Sequence, residues 1–437
     1  MNMENKQPEG SASSGGISAP ILPQTPPFST SRREQIAAFL MYPAAWLYAR
    51  LLFENSVFFT HWMPAFVLAF VALAELLHRD QPRTWESWVW LGCLGFITLS
   101  LPLGRNYVWG EGLTSLFLHL FAVWWLLCRS GRLAEGESGH LLPLDALNGF
   151  VVFPFRHFFL RIRSVWYALT HLRRDHAKAK PETVAWTVAA AVAALALFTA
   201  AARLLMAADE GFAALLSRFS GLFHLELDAE VVVRLLLSLP VGAYLFGLLA
   251  GSGRENTEAL RAQGRKLCAW LEALRKVPNP VWSLLTGAFC LLYLLFFLVQ
   301  ARYLFGAFTR SLPEGFIVSQ YARQGFFELC RVMALNFSLL WLVTRLSRGA
   351  VRQNRASLLC CVVLLLESML FAVVAFSKLM LYISCFGFTP LRFQSSWLVC
   401  VLFFGCICAG YSLVTGKKSF KIWVMAAAVS LTALDLF

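Results

Sequence analysis

The feature that most constrains this chain is a succession of apolar segments at 36–53, 57–77, 86–103, 107–128, 184–207, 231–250, 281–303, 323–345, 357–383, 394–414 and 421–437. A hydrocarbon layer about 30 Å thick takes roughly 20 helical residues to cross, and in lipid each backbone N–H and C=O must find its partner within the protein. The pattern therefore predicts an all-α, polytopic membrane protein of about 11 transmembrane helices with added interfacial amphipathic helices. The first, third and last segments are short or interrupted, the first by Pro43 and Arg50, so the count lies between nine and eleven. Composition agrees: 58% of the 437 residues are apolar and 14% charged, against about 25% charged in soluble domains.

Four regions follow in order. Residues 1–30 are rich in Gly, Ser and Pro, with no apolar core of signal-peptide length, and read as a disordered cytoplasmic tail. Residues 31–128 hold the N-terminal transmembrane helices, 129–183 a basic cytoplasmic loop with an amphipathic helix, and 184–437 a C-terminal transmembrane bundle. Of the 38 Lys and Arg, 27 fall in 1–33, 78–86, 129–183, 251–280, 345–356 and 415–421, stretches that share one side when all eleven segments cross. The positive-inside rule then puts the N-terminus in the cytoplasm and Phe437 outside.

A net charge of +13 would suggest nucleic acid in a soluble chain. Here the basic residues sit between apolar runs, where they set orientation and meet anionic lipid, so membrane lipids and not nucleic acid are the expected partners. The 11 cysteines lie mostly inside apolar segments without a C-x-x-C pair, and they read as small buried residues.

Two stretches between segments carry more than a link. From 155 to 172, Phe155, Phe158, Phe159, Ile162, Trp166 and Leu169 form one helical face, with Arg156, Arg161 and Arg163 on the polar side. Such a helix lies in the cytoplasmic interface on anionic lipid, or packs beneath the bundle with its arginines in water. Phe212, Leu215, Leu216, Phe219, Leu222 and Phe223 suggest a second interfacial helix after Asp209 and Glu210. The alanine spacing at 189, 193, 196 and 200 suits close helix contact, and Pro240 with Gly242 marks a kink within 231–250.

No phosphate-binding glycine loop, dinucleotide fingerprint, H-E-x-x-H or G-x-S-x-G is present. The expectation is a non-enzymatic protein with no cofactor and no metal; His61, His119, His157, His171 and His176 read as satisfied or solvated polar residues. What remains is charge within the C-terminal segments. Arg323, Glu328, Arg331 and Arg345 lie among the Phe, Leu and Val of 321–346, and ionisable groups at bilayer depth face an interior or a cavity with a partner. At 1.5 Å per residue, Glu328 and Arg331 lie about 8 and 12 Å below the outer edge, and Lys378 of the next segment lies about 8 Å below it. Glu367 falls near mid-membrane, with Arg331 the nearest cation in depth, while Arg302 and Arg392 sit at the outer mouth. These charges fix helix register, receive an anionic group in an outward-facing cavity, or couple protons or ions through Glu328 and Glu367.

Three motifs carry a resemblance. Ala207-Ala208-Asp209-Glu210-Gly211-Phe212, then Tyr321-Ala322-Arg323 with Gly325-Phe326-Phe327-Glu328-Leu329, then Lys378 and Tyr382 with Gly387-Phe388-Thr389 and Arg392, resemble the bacterial membrane family catalogued as domain of unknown function 4173, with its relative 4153. The similarity covers roughly 145 to 414, and Lys378 stands where an arginine is expected, keeping the charge and losing the bidentate fork. The resemblance implies a bacterial plasma-membrane protein and supplies no substrate. Its motifs contain the polar set reached from depth: Arg323, Glu328, Lys378, Tyr382 and Arg392, to which depth adds Arg331 and Glu367 as candidate ligand-binding residues.

Three functional classes stay open. One is a membrane protein acting in envelope homeostasis or signalling by binding an anionic lipid, an envelope precursor or a membrane protein partner. Another is a secondary transporter or channel that depends on Glu328 or Glu367, and the third a lipid-modifying transferase with Tyr321 or Tyr382 near its reacting centre.

Overall fold

A computed structural model describes residues 28–53, 56–103, 109–176, 229–300 and 318–434, with backbone alone at Ser56, 172–176, 229–232 and 318–324. Segment 184–207, the interfacial stretch 212–223 and Arg302 lie outside the described residues, as do the side chains of Tyr321 and Arg323 and most of the tail.

The described chain is helical: α1 (Arg32–Phe53), α2 (Ser56–Leu77), α3 (Trp85–Ser100), α4 (Gly110–Arg129), α5 (Leu142–Leu147), a π turn (Asn148–Val152), α6 (Phe153–Arg156), α7 (Leu160–His176), α8 (Ala229–Arg254), α9 (Thr257–Ala273), α10 (Asn279–Val299), α11 (Val318–Leu346), α12 (Arg355–Phe386), α13 (Pro390–Thr415) and α14 (Phe420–Leu434). Among the described residues no strand forms, and one isolated bridge joins Val277 to Ser347. Among the described residues, eight helices are long and apolar enough to cross a membrane: α1, α2, α4, α8, α10, α11, α12 and α13. Segments 86–103 and 421–437 form shorter helices than expected, α3 with 16 residues and α14 with 15.

Buried side chains fall into two cores. The first draws on α1 to α4, α6 to α8 and α14, with Trp90, Phe121, Trp125, Phe153 and Phe246 at its centre. The second draws on α10 to α13 around Phe371, Met333, Leu364 and Val374. Helix α14 packs against α3 and α13 and joins the two. There Trp423 Nε1 donates to the Val401 carbonyl at 2.9 Å, Trp397 Nε1 to Ser430 Oγ at 3.0 Å and Trp109 Nε1 to the Leu431 carbonyl at 3.3 Å.

The stretches that carry most of the basic charge meet at one end of the molecule. Arg33 pairs with Asp80, Arg254 reaches Glu34 at 2.8 Å, and Arg132 donates to the carbonyls of Ser252 and Gly253 at 3.1 and 2.8 Å. Lys421 pairs with Glu86, and Arg352 donates to the Thr415 carbonyl at 3.1 Å. Beneath this layer His78 is 5% exposed, with Nε2 hydrogen-bonded to the Leu249 carbonyl at 3.0 Å, and burial lowers its pKa to about 4. Asp145 is 1% exposed and accepts from the Ala134 amide at 2.8 Å; burial pushes its carboxyl up to about 7.

The amphipathic stretch departs from expectation. Its helix is broken at His157 to Phe159 into α6 and α7, and the apolar face is the outer one: Phe155, Phe159, Ile162, Trp166 and Leu169 are all exposed. The arginines divide. Arg161 is 9% exposed and donates to the Ala38 carbonyl at 3.2 Å, Arg156 pairs with Glu255 at 2.9 Å, and Arg163 lies exposed over the Phe28 ring at 4.1 Å. The inward turn of Arg161 corrects the placement of all three arginines on one lipid-facing surface. Its physical source is α8, where a Cβ at Gly242 would stand 2.5 Å from Arg161 Nη1 and one at Gly247 only 2.6 Å from the Pro154 carbonyl. Glycine at both positions lets α6 and α7 seat against α8, and this seating carries Arg161 inside.

Candidate functional site

Helix α12 organises the polar residues of the second core. Asn354 caps its start, accepting from the amides of Ala356 and Ser357 at 3.0 and 3.2 Å. Gly387, at φ +77°, ends it in a conformation that costs a side chain more than glycine. Its buried face runs through Ser357, Cys361, Leu364, Ser368, Phe371, Ala375 and Lys378, a spacing of three and four that keeps one side of a helix on the core.

Lys378 has no exposed surface. A buried ammonium in a span is costly, about 3 kcal/mol even on insertion scales, so its surroundings must be built for it. Gly325 on α11 supplies the room: a Cβ there would lie 2.6 Å from Nζ and 3.1 Å from Cδ. Two of the three sequence motifs thus meet in space, the glycine of one against the lysine of the other. Glu328, one turn from Gly325 and exposed at the bundle surface, acts on Lys378 through its charge. That places the two at similar depth, as their positions along the helices suggested.

Toward the helix end, Arg392 Cζ lies 4.2 Å from the centroid of the Tyr382 ring. Its Nη1 donates to the Phe386 carbonyl at 2.8 Å and to that of Gly387. Arg392 therefore closes the last carbonyls of α12 and favours the negative end of that helix. Lys378 lies about 12 Å inside that end, at 1.5 Å per residue, with Tyr382 between the two cations.

Glu367 stands apart from this set. It is half-buried, about 18 Å along α12 from Arg355, and its carboxyl faces the Cys290 thiol of α10. No ion pair joins it to Arg331 among the described residues: Arg331, the nearest cation in depth, is exposed on α11. Beside Glu367 runs a buried hydrogen-bond chain: Tyr293 OH donates to Asn336 Oδ1 at 2.7 Å, Asn336 Nδ2 to Ser368 Oγ at 2.8 Å, and Ser368 to the Leu364 carbonyl at 2.8 Å. Arg323 lies on α11 with its side chain outside the described residues. Among the described residues no group of three or more His, Cys, Asp or Glu converges as metal ligands.

Sequence reasoning missed the partners of several residues. The motif that holds Gly325 gives no sign of its role, whereas Gly247 with Gly251, four apart on α8, carries a spacing that marks close helix contact. Buried Glu255, held by Arg156 and by His157 Nε2 at 3.0 Å, had no local signal.

Eight membrane-length apolar helices, two helical cores and ionisable residues inside a span define a polytopic helical integral membrane protein. The chain belongs to the family described as Domain of unknown function (DUF4153), which matches residues 36–437. The resemblance drawn from the motifs named 4173 first and 4153 as its relative; the match is to 4153 and reaches well beyond 145–414. No curated protein and no solved structure matches the chain.

Proposed function

We propose that this is a non-enzymatic inner-membrane protein of a bacterium, its basic end in the cytoplasm, that binds an anionic group at the outer end of its second core. The group is a lipid headgroup or an envelope precursor, and the role is in envelope homeostasis or signalling. One observation carries the reading: Lys378 is wholly buried, and Gly325 leaves the room that its ammonium fills. Arg392 adds a second cation at the helix end and Tyr382 an amphipathic ring between them, while Glu328 is the acid of the set. Two cations against one exposed carboxylate suit an anion arriving from the bilayer surface. Phe155, Phe159, Ile162, Trp166 and Leu169, exposed along α6 and α7, support contact of that stretch with the cytoplasmic leaflet, with Arg163 at the headgroups.

Thermal unfolding of the purified protein in mixed micelles tests the anion site. A ligand at 100 times its Kd stabilises the folded state by about 2.7 kcal/mol. Phosphatidylglycerol should raise the unfolding temperature above that in phosphatidylcholine, and Lys378→Met should remove the difference. An equal response of the two proteins to both lipids would sink the reading for lipid headgroups, and isoprenoid-linked phosphates run in the same assay cover envelope precursors.

A further inference from the structure

A line of polar residues runs along one face of α10: Asn279, Ser283, Thr286, Cys290 and Tyr293, spaced four, three, four and three. It faces α12. Ser283 Oγ and Ser357 Oγ are 2.6 Å apart, Ser357 Oγ donates to the Asn279 carbonyl at 3.3 Å, and Cys290 Sγ donates to the Cys360 carbonyl at 3.4 Å. The line begins at the basic end, where Ser347 bonds to Asn279, and it reaches Glu367 about halfway along the span. Beyond Glu367 the way is closed by rings. Phe371 lies 5.2 Å from Tyr293 and 4.5 Å from Phe297, centroid to centroid, with Val374 and Ala375 fully buried behind it.

Glu367 has a buried oxygen, Oε2, with no hydrogen-bond partner among the described residues. Its charged surroundings are sparse on every packed side. Helix α10 offers the Cys290 thiol and the Tyr293 hydroxyl, and α12 itself offers Cys360 and Cys361. Helix α13 holds one charged residue, Arg392 at its first turn, and the thiols of Cys400, Cys406 and Cys408. From α11, Asn336 is the polar residue in the neighbouring hydrogen-bond chain, and the turn Val351–Gln353 brings Arg352, which bonds to Thr415 at the basic end. No cation among the described residues reaches Glu367 within ion-pair distance. A metal cation would require several converging oxygens, and the Cys360 carbonyl beside this site already accepts from Cys290. A lone carboxylate at this depth is relieved most simply by a proton.

We propose that Glu367 is a proton-binding site loaded from the basic end of the molecule along the Asn279–Ser283–Thr286–Cys290 face, with Tyr293, Phe297 and Phe371 closing the route to the opposite end. Binding converts a carboxylate and one proton to the neutral acid, and release reverses it. The site is independent of the Lys378 reading, since the two lie about 16 Å apart along α12.

The test uses the full chain in liposomes, with pH set separately inside and outside. Dicyclohexylcarbodiimide dissolves in the bilayer and adds to a protonated carboxyl, first across its C=N bond and then by rearrangement to a stable N-acylurea, read by peptide mass. Reaction of Cys268, on α9 at the basic end, with an impermeant maleimide reports which way each preparation is inserted. Glu367 should be modified, Glu367→Gln should lose that adduct, and the yield should drop by about fivefold or more as the compartment at the basic end goes from about pH 6 to about pH 9, since a site above its pKa loses up to tenfold of its protonated form per pH unit. Absence of the adduct even at about pH 6 overturns the proposal. So does a yield that ignores both compartments, or one that follows the opposite compartment.

Discussion

Replacing Gly325 by alanine tests whether the buried lysine is held where the structure puts it. The added Cβ would stand 2.6 Å from Lys378 Nζ, 3.1 Å from Cδ and 3.3 Å from Cε, where ordinary contacts begin at 3.4 Å. The ammonium must therefore retreat by roughly 0.8 Å, taking its stem with it, inside a site where Lys378 has no exposed surface. Overfilling a packed site costs about 1–3 kcal/mol, against which alanine gains up to about 1 kcal/mol in helix propensity. The net expectation is a loss of about 0.5–2 kcal/mol. Gly92 and Gly95 on α3 have nothing within 4 Å of the same Cβ, so alanine there should be neutral or stabilising. Reversible unfolding in mixed micelles of increasing SDS content measures all three. A double-mutant cycle with Lys378→Ala completes the argument, because shortening the side chain should erase the cost of Gly325→Ala. If Gly325→Ala proves as stable as Gly95→Ala in the native background, Lys378 swings freely, and the geometry behind the candidate site is wrong.

Gly247→Ala should be costlier than Gly325→Ala, because its Cβ meets backbone, the Pro154 carbonyl at 2.6 Å and that of His157 at 3.2 Å, and neither can rotate away; faster proteolysis of the 140–176 stretch would report it. Asp145, raised to about 7, stabilises the fold fully below its unfolded pKa and loses that contribution as pH rises through about 7, a swing of about 4 kcal/mol. Asp145→Asn should flatten that part of the stability profile, and an unchanged profile would show that Asp145 is not its source. His78, lowered to about 4, works the other way: stability present above its unfolded pKa of about 6.5 falls away by about 3 kcal/mol as pH drops toward 4, and His78→Gln should remove the fall. For orientation, an impermeant maleimide on intact cells should reach exposed Cys385, at the far end of α12, and reach Cys268 only after permeabilisation; the reverse order would invert the topology.

Positions of the spans were legible because lipid demands length and apolarity, both local properties: the segment read at 357–383 became Arg355–Phe386 and that at 394–414 became Pro390–Thr415. The sharing of one end by the basic stretches was legible for the same reason. Which helices share a core was not, because sequence does not say which neighbour an apolar face prefers, and the polar line along α10 marks a face without naming α12 as its partner. The polar residues were found by their cost at depth, but their partners were not. Depth put Arg331 beside Glu367, whereas rotation about the α11 axis sends Arg331 outward and gives Glu367 to Cys290 of α10. Position along the chain places Arg392 at the outer mouth but not its partners, although Gly387 ahead of Thr389 and Pro390 marks a helix end in need of a donor. In the 155–172 stretch the apolar spacing was real and its direction was not decided by it, since Gly242 and Gly247, more than 80 residues further along the chain on α8, let Arg161 turn inward.

The pairing of Lys421 with Glu86 sets an order in time as well as in space. Glu86 is 6% exposed, and apart from Lys421 its recorded partner is the Ser138 amide at 2.8 Å. The cation that neutralises it is made 335 residues later, which at about 5–20 residues per second is about 20–70 s of translation. For that interval α1 to α4 sit in the bilayer with a carboxylate awaiting its counter-ion and with α14 missing from between the cores. The first helices to be inserted are therefore among the last to be finished, and a ribosome that stalls before residue 421 leaves a chain whose oldest part exposes an uncompensated acid, the kind of flaw that membrane quality control is equipped to detect.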